Sequence, residues 1–447
     1  MATILPFPGA SSATASELAF FVRIGEAHNK LADLQAGGRL PAGRVVIDAS
    51  RFKHQRELIA AFRDGGAEIV LDTEIAELAA LGRYQGHSRN APWAPTKKIL
   101  GPDHFRADAP LDVIGQIARF AVENGVDAVL APTHYLADPA FADWLQVDHH
   151  SCLALRKALD REGGGHIRID YPLIVKNADL CEPGARGRYM ESLSDLPVDN
   201  VWVRSSGMGP QAGPLSVRRY ISSASALHNL GKPLIADHIG GLLGEALLAF
   251  GAVSGIAHGV GERERFDASS WAKLPPERSE DDQFGRAKRV QVPGLYKSLT
   301  IKELDLLEAA RGGRRLLGCA DRQCCPHGLP DMRDDPRRHA AHQGFEALRR
   351  LQAVPDLLRE HHFMTGVMVD AARTARQVKM LKPSPEKALE LGVDGPGLMK
   401  RLVEHSARTE RFRAALEKFQ EQRGAESPRA RPIQRVQPTK NVKKTTV

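Results

Sequence analysis

Val45-Val46-Ile47-Asp48, then the helix-like Gln55-Arg56-Glu57-Leu58-Ile59-Ala60-Ala61-Phe62, then Ile69-Val70-Leu71-Asp72 form one strand–helix–strand unit. Each outer run is continuously apolar, as a strand buried on both faces must be, and each stops at an aspartate. The unit repeats outward from there. Ala128-Val129-Leu130-Ala131 leads into Thr133-His134, Leu173-Ile174-Val175 into Lys176-Asn177, and Val201-Trp202-Val203 into Arg204-Ser205. Leu234-Ile235-Ala236 ends at Asp237-His238, and Ile256-Ala257 ends at His258. Phe20-Phe21-Val22-Arg23-Ile24, followed by a helix from Glu26 to Leu34, supplies a first strand and brings the number to eight. Arg315-Leu316-Leu317 is the alternative eighth strand. The pattern predicts an α/β fold of the (β/α)8 TIM-barrel type. In such a barrel the C-terminal strand ends share one mouth, so their side chains are active-site candidates.

The chain of 447 residues is long enough for a barrel of roughly 250 residues with additions. Hydrophobic residues make up 42% and charged residues 26%, the balance of a water-soluble globular protein. No apolar run reaches the ~18 residues needed to span a bilayer, and no basic region followed by an apolar core opens the chain. Five cysteines, three of them clustered, do not make a disulfide framework, so reduced thiols in a cytoplasmic protein are expected. The net charge of +8 is uneven: Gln420 to Val447 holds seven Lys or Arg against two Glu. A basic, apolar-poor tail is expected to be disordered and to bind nucleic acid by phosphate neutralisation.

The expected organisation is a loose N-terminus over 1–16, a barrel over 17–298, a helical extension over 299–420 and a tail over 421–447. Two long connections, 82–110 and 262–298, are expected to cover the mouth. Thr300 and Glu303 form a capping-box pattern at the start of the extension.

Within the extension, Cys319, Cys324 and Cys325 are followed by His339, with His342 in reserve. Thiolates and an imidazole suit a tetrahedral structural Zn2+ site. A barrel followed by clustered cysteines and a helix-borne histidine resembles the tRNA-guanine transglycosylase superfamily. His339 lies ten residues before Arg349-Arg350, as on that family's zinc helix. Asp72 with Thr73-Glu74-Ile75-Ala76 stands where the family has an aspartate followed by Ser-Gly-Gly-Phe, and the segment is closest to the bacterial DNA-modifying branch. The resemblance implies exchange of a guanine in DNA or tRNA for a 7-deazaguanine-type base. Two departures are plain: the pocket glycines are replaced, and the last strand ends Ala257-His258-Gly259 with no carboxylate.

Base exchange needs a carboxylate near the sugar C1′ and an acid for the base's proton. Asp72 and Asp237 are the candidate pair, with His238 and His258 as proton carriers. Asp48, His134, Lys176, Asn177, Arg204 and Ser205 are candidate substrate contacts. Gly240, Gly241 and Gly259, after the last two strands, support a different reading in which backbone amides hold a small phosphorylated substrate. A catalytically degenerate barrel that binds nucleic acid is the non-enzymatic reading.

Overall fold

A computed structural model describes residues 17–83, 86–96, 98–137, 143–261, 264–274, 288–424 and 429–434. Its centre is a closed parallel barrel of eight strands. They are β1 (Ala19–Arg23), β2 (Arg44–Asp48), β3 (Glu68–Asp72), β4 (Ala128–Leu130), β5 (Arg168–Lys176), β6 (Asn200–Ser206), β7 (Leu234–Asp237) and β8 (Gly255–His258). β1 closes the ring by pairing with both β2 and β8, so the Phe20 run is the first strand and the 313–317 segment is helical. The loose N-terminus expected over 1–16 lies outside the described residues.

Strand alternation sorts the side chains into layers. Phe21, Val46, Val70, Trp202 and Ile235 point inward as one buried apolar layer. Two positions further along the same strands stand Arg23, Asp48, Asp72, Arg204 and Asp237. One layer below the apolar residues, Asp170 accepts from Asn200 Nδ2 and Trp202 Nε1, each at 2.8 Å. Beside it, Glu68 takes both Arg44 and Arg168 at 3.1 Å. The interior is therefore packed through its length, as barrels of this type are. Val45, Ile47, Ile69, Leu71, Val201 and Val203 point outward into the main core against the helices.

The extension is built onto the barrel. A hairpin of β9 (Arg289–Val292) and β10 (Lys297–Thr300) shares an apolar core with helices Ile301–Glu308 and Leu329–Asp334. The expected boundary at 298 thus moves back to before residue 289. Thr300 and Glu303 do form a capping box, bonding each other's backbone N–H at 3.2 and 2.8 Å. Helix Pro336–Gln352 packs on the barrel through Phe345, whose ring lies 5.1 Å from that of Phe20.

The tail also differs from expectation. The last helix runs Gly395–Arg423, and residues 429–434 pack under the barrel. Ala430 donates to the Gly251 carbonyl at 2.9 Å, Ser254 Oγ donates to the Arg431 carbonyl, and Arg168 holds the Gln434 carbonyl at 2.8 Å. Ile433 is 4% exposed and joins the interior apolar layer. Counting basic and apolar residues missed this because one isoleucine at the open end of a barrel outweighs its surroundings in sequence. Residues 435–447 lie outside the described residues. Ile433→Ala is expected to cost about 2–4 kcal/mol in urea unfolding, as deletion of a buried aliphatic side chain does. An unchanged midpoint would show that the segment only rests on the surface.

Candidate functional site

The inward layer at the C-terminal strand ends forms one ionic network. Arg23 on β1 donates to Asp237 through Nε and Nη2, both at 2.7 Å, and to Asp72 through Nη1 at 2.7 Å. Arg204 on β6 donates to Asp237 through Nε at 2.7 Å and to Asp72 through Nη2 at 2.9 Å. Its remaining Nη1 reaches Glu77 at 3.3 Å. Asp48 lies 4.0 Å from Arg23. Asp72 also accepts the Glu74 backbone N–H at 3.0 Å, and Glu74 in turn accepts the Ser50 N–H at 2.7 Å. Glu74 adopts a left-handed backbone, φ 54°. That conformation is uncommon outside glycine and turns the chain sharply at the strand end.

The carboxyls divide into two kinds. Burial alone would push Asp72 and Asp237 up, but the Arg23 and Arg204 charges reverse it and hold both below the usual carboxylate range. Glu74 is driven well above its ordinary value by burial and then by the Asp48 charge. Burial also raises Glu77, with Arg204 opposing and Asp72 adding to the shift. Glu77 Oε2 is buried and has no hydrogen-bond partner among the described residues. One mouth thus combines ionised aspartates with glutamates that hold their protons more tightly.

Asp72 and Asp237 converge as expected, but Asp237 is fully enclosed and both its oxygens are taken by guanidinium groups. It is placed to position the arginines rather than to touch a substrate. His258 ends β8, packs 4.6 Å from the Phe20 ring and donates Nδ1–H to the Gly259 carbonyl at 2.7 Å. His238 has a left-handed backbone, φ 58°, and its ring lies 5.9 Å from Phe266. A Cβ on Gly240 would lie 2.8 Å from His258 Nε2 and 2.9 Å from Glu264 Cγ, so the glycine permits a close approach. Gly241 opens the helix Gly241–Ala249 with Glu264 against it.

Four expected contacts lie outside the arginine–aspartate layer. His134 is buried away from the mouth, bonded through Nδ1 to Asp148 at 2.6 Å and stacked 3.6 Å from Trp144. Ser205 alternates outward, opposite to Arg204, and is 1% exposed. Asn177 starts a short helix and accepts the Cys181 thiol at 3.7 Å. Lys176 is exposed at the end of β5, and among the described residues no hydrogen bond ties it to the arginine–aspartate layer.

Of the two loops expected over the mouth, the second is the cover. Phe266 and Trp271 pack with Ala76, Tyr135 and Ile174, and the Arg204 guanidinium lies 5.8 Å from the Phe266 ring centre. Backbone bonds from Gly207 to Phe266 and from Gly82 to Trp271 tie this cover to two strand-end loops. Trp93 of the first loop is instead buried in the wall, donating to the Thr73 carbonyl at 2.9 Å. Reading strand ends alone missed Arg23, Glu74, Glu77 and Glu264. Arg23 carried a signal, a charge closing an otherwise apolar strand. The glutamates lie in a turn whose geometry no periodicity reveals.

A second constellation lies in the extension. Cys319, Cys324, Cys325 and His339 are all buried, with their ligand atoms within 4.8 Å of one another. The two adjacent sulfurs are 3.6 Å apart and lie 3.3 and 3.5 Å from His339 Nδ1. Ligands about 2.3 Å from a tetrahedral ion sit roughly 3.7 Å from each other, so the spacing suits a metal ion. Asp321 makes the adjacent cysteines usable: its carboxylate accepts the Gln323 and Cys324 N–H groups and folds the turn. His339 donates Nε2–H to the Gln291 carbonyl at 3.0 Å, leaving Nδ1 for the sulfurs. His342 is bonded to Asp321 at 2.8 Å and is not part of the set.

No family model matches the chain, and no curated protein matches it. Among solved structures it is similar to deoxyribose phosphate aldolase from Aeropyrum pernix, at 16% identity and a TM-score of 0.34. That match covers 55% of this chain and 86% of the aldolase, and at this level it decides nothing about activity. No described helix is long and apolar enough to cross a membrane.

Asp237→Asn would leave two buried guanidinium groups short of charge. It is expected to destabilise the barrel by about 3–5 kcal/mol, measured by urea unfolding. A loss of less than ~1 kcal/mol would mean that the network contributes little to stability.

Proposed function

We propose that this barrel is a base-exchange enzyme of the transglycosylase type, replacing a guanine in DNA or tRNA with a 7-deazaguanine-type base. The observation that carries the reading is geometric: Asp72, held by two guanidinium groups, and the buried Glu77 on the same Arg204 meet in one mouth. As a glycosidic bond weakens, positive charge develops at the sugar C1′ and the departing base needs a proton. Asp72, whose oxygens are also engaged, supplies fixed negative charge through its field and not by direct contact. Glu77, with one oxygen unpartnered among the described residues, gives its proton to the guanine as the C1′–N bond breaks and takes one back from the ring N–H of the incoming base as the new C1′–N bond forms; Glu74 is its neighbour in the same turn. Arg23, Arg204 and Asp237 hold Asp72 in place. The chain's net charge of +8 favours a polyanionic substrate.

The alternative small phosphorylated substrate would seat its phosphate at the N-terminus of Gly241–Ala249. Glu264 stands against that terminus, so the anion would have to displace a carboxylate.

Incubation of the purified chain with DNA or tRNA and an isotope-labelled base should give incorporation detectable by mass spectrometry. No incorporation into either nucleic acid ends this reading. Glu77→Gln is expected to lower the rate about 10²–10⁴-fold, the usual contribution of a general acid. Because the protonated form acts, wild-type activity should be present below the raised Glu77 pKa and fall as pH rises through it. That alkaline limb should vanish in the variant.

The Cys/His cluster is proposed to hold a structural Zn2+ through Cys319, Cys324, Cys325 and His339. Elemental analysis of protein purified without chelator should find about one zinc per chain. His339→Ala should lose the metal and His342→Ala should keep it. The reverse result would reassign the fourth ligand.

A further inference from the structure

A cavity of about 300 Å3 lies between the barrel and the helical extension, beside the arginine–aspartate layer rather than within it. Phe20, Ile256 and His258 line its barrel side, and Leu348 and Val367 line the extension side. Engineered apolar cavities of about 150 Å3 already admit benzene, so this space takes a ring with a short substituent.

The room is made by glycines that local packing does not require. Gly344 sits within helix Pro336–Gln352, and Gly366 sits in a π-helical turn, Phe363–Val367. A Cβ on Gly366 would meet nothing within 4 Å, and one on Gly344 would meet only the Phe20 ring edge, at 3.9 Å. A glycine inside a helix costs roughly 0.8–1 kcal/mol relative to alanine, and π turns recur at functional sites. Two such positions facing one unfilled space are what a ligand pocket needs and a packed interface does not.

The cavity is polar at one point. Glu245 lines the cavity and accepts the Tyr296 hydroxyl on Oε2 at 3.2 Å, which leaves its carboxylate able to accept a further donor from the cavity. Burial pushes this carboxyl up to about 7, with Tyr296 and Arg350 opposing. Glu264 and Asp370 also line the space, with Asp370 paired to Arg373 at 2.7 Å; the single Arg350 guanidinium is paired to Glu346 at 3.2 Å, and His258 and His362 are the remaining titratable groups. Apolar walls around Glu245, with Glu264 beside it and the one guanidinium already paired, match one ligand chemistry.

We propose that this cavity binds a small organic cation: an ammonium group on an apolar, ring-sized body. The ammonium donates to Glu245 and fills its open acceptor, while the body covers Phe20, Ile256 and Leu348. The proposal is independent of the base-exchange reading.

The test uses the full chain and three isosteres, phenethylamine, phenethyl alcohol and phenylacetate, by isothermal titration and saturation-transfer NMR. Phenethylamine should bind at least tenfold tighter than the alcohol, and phenylacetate weakest. Glu245→Gln should remove the amine's advantage, and Gly366→Leu should abolish binding of both amine and alcohol. Absence of amine binding, equal affinities for the three probes, or an unchanged preference in Glu245→Gln would overturn the proposal. Thermal unfolding checks each variant. If Gly366→Leu does not fold, the isostere series and Glu245→Gln decide.

Discussion

Two arginines sharing two aspartates inside the barrel are the constraint on which the rest of the mouth depends. Arg23 and Arg204 come from strands on different sides of the ring, and each bonds both Asp72 and Asp237. Four charges taken out of water are tolerable only when paired with good geometry. Here every oxygen of the two aspartates is used, and the pairs link β1, β3, β6 and β7. The network therefore acts as a cross-brace at the level where the apolar layers stop. It also sets the local field. With the aspartates held ionised by fixed cations, burial and repulsion from nearby carboxylates raise the proton affinity of the neighbouring glutamates, and for Glu77 they outweigh the Arg204 charge.

The fold was legible because apolar runs of strand length, separated by helix-length segments, admit few arrangements. All eight expected strands are found, including Phe20-Phe21-Val22-Arg23, and the Cys/His set assembles from the four residues their types suggested. The site was legible only in part. That Asp48, Asp72, Arg204 and Asp237 end strands could be read. That they face inward together depends on alternation counted from the interior layer, and the same count turns Ser205 outward. His134 was misplaced because three residues of irregular chain follow β4, enough to carry the imidazole to Asp148 and Trp144. Glu74 and Glu77 escaped notice because their roles come from a tight turn and from burial.

The extension takes the place expected of an eighth barrel helix. Helix Pro336–Gln352 lies against β1 and against Gly241–Ala249, and it carries His339. One helix thus packs the barrel wall with its Phe345 and contributes the imidazole of the thiol cluster. A change in the cluster would be felt in the packing beside Phe20, three residues before the inward-facing Arg23 on the same strand. This coupling is mechanical, through a rigid helix, and needs no rearrangement of the strands.

Ile433 gives the barrel an unusual order of assembly. The strands it caps are complete by His258, yet the residue that seals their lower end lies far downstream, after the whole extension. Contacts between such distant positions form slowly, because a long loop must close before they reward it. During synthesis the nascent strands can pair and bury their outer faces against helices while the floor of the ring stays open to water. The final turn of the key is therefore given by the segment that leaves the ribosome after everything it secures.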